Sequence, residues 1–270
     1  MKLETLKLNI DNKIAHVVIN RPEKANALNQ QAWHELKLVF ESISTNPEVR
    51  VVVLSGEGKH FCSGIDLTLL MMLGQQNKEK CETRKREVIR DMIFSLQAPI
   101  NAIEKCKKPV LAAIHKGCIG GGLDVVSACD MRYCTKDAYF TIKEIDMGMV
   151  ADLGTLQRLP KLIGEGQARE MAYTGRHVEG DEAKSLGIVN RVYADKDEMM
   201  AGVMELANQI ASKSPVSIRG TKQVLNYTRD HSVNDSLEYI ANWNAGMLLS
   251  EDLFAAFQAK LSKKQATFRD

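Results

Sequence analysis

The residues best able to do chemistry in this chain are acids gathered around two glycine-rich loops. One loop, SGEGKHFCSGIDL at 55–67, follows the β-branched run Val51–Leu54; the other, HKGCIGGGLD at 115–124, follows Val110–Ile114. Neither is a nucleotide-phosphate loop. Gly58-Lys59 is followed by His60 rather than Ser or Thr, and the full GxGxxG spacing is absent. Gly120–Gly122 instead open a predicted helix, Leu123–Cys129. The first turn of a helix carries unpaired N–H groups at its positive end, and residues without side chains let a ligand approach the backbone. A second such loop from a neighbouring strand can aim another N–H at the same point. Two donors of this kind make an oxyanion hole, in which losing one typically costs about 3–4 kcal/mol of transition-state stabilisation.

Acids surround this feature. Asp124 lies just past the triple glycine, and Glu144 and Asp152 lie in KEIDMGMVADLG. Each also admits an ordinary duty: a first-turn helix acid for Asp124, a surface charge for Glu144, a cap on a helix near Leu153 for Asp152. Asp152 stands out because its neighbours Met149-Val150-Ala151 and Leu153 are apolar, and a carboxylate buried there needs a partner or a task.

The elements that must position these groups follow from patterning. Ile14–Ile19, Val51–Leu54, Val110–Ile114, Met131–Cys134 and Ala138–Ile142 read as strands. Trp33, Leu36, Phe40 and Ile43 fall three and four apart, the stripe of a helix packed on a sheet, with Asn29 as its cap. Strands alternating with helices predict an α/β architecture with crossover connections. From Gly164 onward the pattern is almost wholly helical, with stripes at Val203–Ala211 and Leu253–Leu261. The expected organisation is an α/β body over 1–200 and a helical C-terminal region over 201–270. Within Thr68–Asn101, Leu69–Met72 read as soft walls for an apolar ligand, or as part of a surface helix.

Composition bounds the function class. At 270 residues the chain can bury on the order of three quarters of its unfolded surface. Its 36 Lys+Arg and 34 Asp+Glu leave a formal charge of +2, which argues against nucleic-acid or membrane-surface partners. No apolar run approaches the roughly 20 residues that span a bilayer. The six cysteines form no CxxC pair, the histidines form no HExxH, and a metal site is not expected. Free buried thiols, with no secretory layout in MKLETLKLNIDNK and no peroxisomal tail in ATFRD, lead to the expectation of a reducing, cytoplasmic setting.

Five stretches, in order, resemble the enoyl-CoA hydratase/isomerase (crotonase) superfamily. They are NRPEKANALN (20–29), HFCSGIDL (60–67), GCIGGGLDVVSACDMRYC (117–134), KEIDMGMVADLGTLQRLPKLIG (143–164) and GRHVEGDEAKSLGIVNRV (175–192). The resemblance implies a crotonase-like spiral of ββα repeats with a helical C-terminal trimerisation region, giving a homotrimer or homohexamer. It implies oxyanion-hole amides at Ser63 and Gly121, with Gly64, Ile65 and Asp66 in the substrate-facing loop. It implies CoA contacts by Lys24, Ala25 and Ala27, with Phe257 and Lys260 reaching a neighbouring subunit's nucleotide; helix packing and solvated charge are equally natural duties for the last two. Hydratases of the family carry two glutamates and usually a glycine where this chain has Asp152. The triple Asp124, Glu144 and Asp152 therefore resembles the Δ3,5-Δ2,4-dienoyl-CoA isomerase branch, a β-oxidation activity on an acyl-CoA thioester that uses no separate cofactor and no metal. The rivals are hydration of a 2-enoyl-CoA, a non-catalytic acyl-CoA binder and, more remotely, a thioester hydrolase or decarboxylase.

Overall fold

Val- and Ile-rich runs of the first half pair as the centre of a six-stranded sheet. The computed structural model describes residues 2–69, 71 and 81–270. Its main sheet orders β1 (Leu6–Asp11), β2 (Ile14–Ile19), β3 (Val51–Gly56), β4 (Val110–Ile114), β6 (Met131–Thr135) and β9 (Arg191–Tyr193). A smaller sheet orders β5 (Gly117–Ile119), β7 (Tyr139–Thr141) and β8 (Val178–Glu179). β1 and β2 form an antiparallel hairpin whose turn residues, Asn12 and Lys13, take positive φ of 49° and 66°. The remaining pairs of the main sheet run parallel and need crossovers.

Helices α1 (Gln30–Thr45) and α2 (Glu82–Lys105) supply two of those crossovers. Asn29 caps α1 by accepting the Ala32 N–H at 2.9 Å, and Trp33, Leu36, Phe40 and Ile43 are buried as their spacing predicts. α3 (Gly121–Ser127) is buried along its whole length. Short helices α4 (Thr155–Arg158), α5 (Pro160–Ile163), α6 (Glu165–Thr174) and α7 (Gly180–Leu186) lead to the last strand. Buried side chains form a large core against one sheet face and a second cluster against the other.

That second cluster corrects the expected division at 200/201. Met199, Val203, Ala207 and Ala211 of α8 (Lys196–Ala211) pack on Ile14, Val51, Val53, Leu111, Ala113 and Tyr133. The boundary would cut a helix that covers the sheet, so the body runs at least to Ala211. The C-terminal region is α9 (Pro215–Thr228), α10 (Val233–Met247) and α11 (Glu251–Leu261). β8 and β9 also interrupt the expected all-helical stretch. Strands of two and three residues carry no periodic signal and exist because β7 and β6 offer edges to pair with.

Of the expected apolar wall Leu69–Met72, Leu69 is buried and Met71 is exposed; Leu70 and Met72 lie outside the described residues. None of the six cysteines forms a disulfide; five are buried and Cys81 is exposed. Among the described residues no helix is long and apolar enough to cross a membrane.

Candidate active site

The two glycine loops are zipped together. Phe61 N–H donates to His115 O, Cys62 N–H to Gly117 O, and Ile119 N–H to Cys62 O, each at 3.0 Å. Close approach then demands glycine. A Cβ on Gly64 would lie 2.9 Å from Ile119 O, and one on Gly122 would lie 2.9 Å from Cys62 O. The consequence is a pair of converging donors. A Cβ on Gly121 would sit 3.4 Å from Ile65 N, and one on Gly64 would sit 3.4 Å from Gly121 N. Among the described residues, neither the Ile65 nor the Gly121 N–H has an acceptor.

Ser63 cannot be the first donor. Its N–H already donates to Ala25 O at 3.0 Å, so the free amide belongs to Ile65, two residues on. The parallel bridge between Leu28 and Ile65 makes this choice: Leu28 N–H donates to Gly64 O and Asp66 N–H to Leu28 O, leaving the intervening N–H turned away.

Both amides face a cavity of about 460 Å³ lined by Lys24, Ala27, Ser63, Gly64, Ile65, Asp66, Gly121, Glu144 and Met149, among others. Glu144 begins the 3₁₀ turn Glu144–Met147 after β7. Gly120, at φ 48°, makes room for its carboxylate, since a Cβ there would lie 2.9 Å from Glu144 Oε1. Glu144 Oε2 is buried without a hydrogen-bond partner. Burial first, then the charges of Asp124 and Asp152, push the Glu144 carboxyl up to about 7.

Asp124 is only 1% exposed. Its Oδ1 accepts the Thr155 N–H and Oγ1–H, each at 2.7 Å, while Oδ2 has no partner. Burial raises it to about 6 against the opposing Thr155 bonds, with Asp152 adding to the rise. Asp124 thus holds the first residue of α4, and its charge acts on Glu144.

Asp152 departs from the expected apolar burial. Ala151 and Leu153 are buried but Asp152 is exposed, because burial alternates along this segment. It lines a neighbouring cavity of about 250 Å³ with Gln97, Asn101, Glu104, Gly154 and Arg158. Partial burial of its carboxylate still raises its pKa, and its charge acts on both Asp124 and Glu144. The acids are electrostatically joined, but Asp152 does not line the cavity of the free amides. Nor does it cap α4; Gly154 occupies that place without a side chain.

The RPEKANAL turn sits at the cavity rim. Ala25 and Asn26 take left-handed φ of 49° and 57°. Asn26, missed in the sequence, is fully buried and ties the turn together. Its Oδ1 accepts the Arg21 N–H, and its Nδ2 donates to Glu57 O and His60 O, all at 2.8 Å. Asparagine in a turn, where αL is needed, was the available signal. Arg21 Nη1 also pairs with Asp66 at 3.0 Å. Phe257 and Lys260 are exposed on α11 and do not line this cavity. A further cavity of about 320 Å³ runs between α1 and α2, lined by Trp33, Leu69, Met92, Leu96 and Pro99 among others. Trp33 Cζ2 would lie 3.5 Å from a Cβ on Gly121, so the indole reaches from the amides to this second space.

With two zipped glycine loops, free amides and raised carboxyls in one body, the class can be named. The enoyl-CoA hydratase/isomerase family profile matches residues 9–269, and the chain belongs to that family. It is 48% identical, over 98% of its length and 96% of the relative's, to the peroxisomal Delta(3,5)-Delta(2,4)-dienoyl-CoA isomerase of Arabidopsis thaliana. It is 50% identical, over 93% of its length and 77% of the relative's, to the mitochondrial protein of that name from Mus musculus. The crystal structure of a putative enoyl-CoA hydratase from Streptomyces coelicolor A3(2) superposes with a TM-score of 0.90 at 25% identity, covering 99% of this chain and 95% of that one. The crotonase-type α/β fold is thereby established.

The expected cytoplasmic setting does not stand. Relatives at this identity are named as peroxisomal or mitochondrial proteins. Free buried thiols report only a reducing milieu or simple inaccessibility, and neither separates the cytosol from those organelles.

Proposed function

We propose that the chain converts a 3,5-dienoyl-CoA to the 2,4-dienoyl-CoA in β-oxidation, by proton transfer alone. Asp152 takes a proton from C2 of the thioester, and the electron pair spreads onto the adjacent carbonyl oxygen on one side and through the two double bonds to C6 on the other. The Ile65 and Gly121 N–H groups stabilise that oxyanion. Glu144, protonated, delivers a proton at C6, leaving double bonds at C2 and C4 in conjugation with the carbonyl. One proton leaves and one arrives, so the balance calls for no electron carrier. Lys24, Ala25 and Ala27 serve the CoA moiety, and the space beside Trp33 takes the apolar tail. The observation that carries this reading is Glu144: a carboxyl raised to about 7 is half protonated near neutrality, the state a general acid needs, beside two unengaged amides.

Exposed Leu237, Leu248, Leu249, Phe254, Phe257 and Leu261 in the C-terminal region support self-association, here as a homotrimer or homohexamer, since monomers rarely leave so much apolar surface uncovered. Phe257 and Lys260 would then serve a neighbouring subunit's nucleotide. Light scattering should return three or six chain masses; a single chain mass refutes this part.

The test of function is a panel of 3,5-dienoyl- and 2-enoyl-CoAs followed by ultraviolet absorbance. Turnover of the dienoyl thioesters and its near-complete loss in Asp152→Asn are expected. Hydration of 2-enoyl-CoA alone would favour a hydratase, and binding without turnover would favour an idle acyl-CoA binder.

A further inference from the structure

Three contacts hold the turn from Asp152 to Thr155, and only one of them comes from an acid of the site. Asp124 grips Thr155. At the other end, Gln97 Nε2 donates to Asp152 O at 2.7 Å. In the middle stands Gly154, at φ 131°, with Arg158 Nη1 pressed so close that a Cβ on Gly154 would overlap it.

Arg158 is itself fixed. Its Nε donates to Glu104 Oε1 at 3.0 Å, and its Nη2 donates to Glu104 Oε2 at 3.0 Å and to Asn101 Oδ1 at 2.9 Å. The pair is largely removed from solvent, at 11% and 15% side-chain exposure. A two-pronged arginine–carboxylate contact defines direction as well as distance. Gln97, Asn101 and Glu104 recur at helical spacing, so one face of α2 carries the whole clamp. Arg229, just past α9, also pairs with Glu104 and ties the C-terminal region into the same cluster.

We propose that Arg158 is a positioning residue for this isomerisation, holding the Asp152–Thr155 turn through the Glu104–Asn101 clamp so that the Asp152 carboxylate meets C2 of the substrate. The proposal rests on the isomerase reading above. Arg158 touches no reacting atom; it acts by occupying the space over Gly154 and denying the turn its outward position. Because Asp152 is exposed and its carboxylate is bonded to its own backbone N–H rather than to another side chain among the described residues, its placement depends on its backbone. A misplacement of about 1 Å at a reacting group costs on the order of 100-fold in rate.

Three variants test this: Arg158→Met, Arg158→Lys and Glu104→Gln. The readouts are kcat, KM and exchange of the substrate C2 hydrogen in heavy water followed by mass spectrometry. Arg158→Met should lower kcat and C2 exchange together by at least tenfold, with KM within twofold of wild type. Arg158→Lys keeps the charge but lacks the fork, and should recover part of the loss. A fall in kcat of less than tenfold, or a loss confined to KM, overturns the proposal. If Arg158→Met does not fold, Glu104→Gln, which keeps the shape, is judged by the same thresholds. Absence of turnover by the wild-type chain overturns the isomerase reading and this one with it. An active wild type beside an equally active Arg158→Met overturns only the clamp.

Discussion

Replacing Glu144 by glutamine should abolish isomerisation and yet stabilise the protein at high pH, by an amount the site itself sets. In the fold, burial and the nearby acids raise this carboxyl from 4.5 to about 7. A folded-state pKa above the unfolded one means that the native state binds the proton more tightly. That stabilisation is fully present below pH 4.5 and is lost as the pH rises through about 7. At about 1.4 kcal/mol per pH unit, the gap corresponds to roughly 3 kcal/mol. Glutamine cannot ionise and escapes the loss. Its amide does have to replace Oε2, which is buried with no partner, at a cost of about 1–3 kcal/mol that does not vary with pH. The informative quantity is therefore the pH dependence of the difference. Urea denaturation of both proteins at fixed concentration, from pH 4.5 to 8.5, should show the variant gaining on the wild type by roughly 3 kcal/mol across the range. A difference that stays flat with pH would refute the claim that the fold strains this carboxylate. A variant that loses ground as the pH rises would reverse its sign.

Asp124→Asn keeps an oxygen for the two Thr155 bonds and removes one charge acting on Glu144. The basic limb of the isomerisation pH profile should move to lower pH, by less than the gap between about 7 and 4.5, because burial is the larger cause and remains. A limb that stays in place or rises would exclude Asp124 as the group that tunes Glu144. The loss of activity in Asp152→Asn, the oligomer mass and the Arg158 series complete the set, each with its measurement given above.

Much of the site is legible in the residues because it is local. Gly120–Gly122 and Gly64 announce close backbone approach, and the structure shows what approaches: Glu144 at Gly120, Cys62 at Gly122, Ile119 at Gly64. Helix α1 follows from its apolar periodicity, and strands β2 and β4 from short Val- and Ile-containing apolar runs, since the burial of each dictates its pattern. The three acids are visible as types out of place, and Asp124 and Glu144 are found in the strained electrostatic surroundings that such placement suggests.

What the chain order cannot reveal is which hydrogen bonds are already spent. Ser63 and Ile65 are equivalent as residues in a glycine loop; only pairing with Ala25 and Leu28, some forty residues away, occupies one N–H and leaves the other free. The same holds for Asp152, whose apolar neighbours point to burial while its own side chain turns outward, and for Arg158, whose role depends on Asn101 and Glu104 of a different helix. Residue type and spacing determined the elements and the chemistry available to this protein. Tertiary packing alone decided which donors are free and how the carboxylates stand, because electrostatics and hydrogen-bond satisfaction depend on distances between segments remote in the chain.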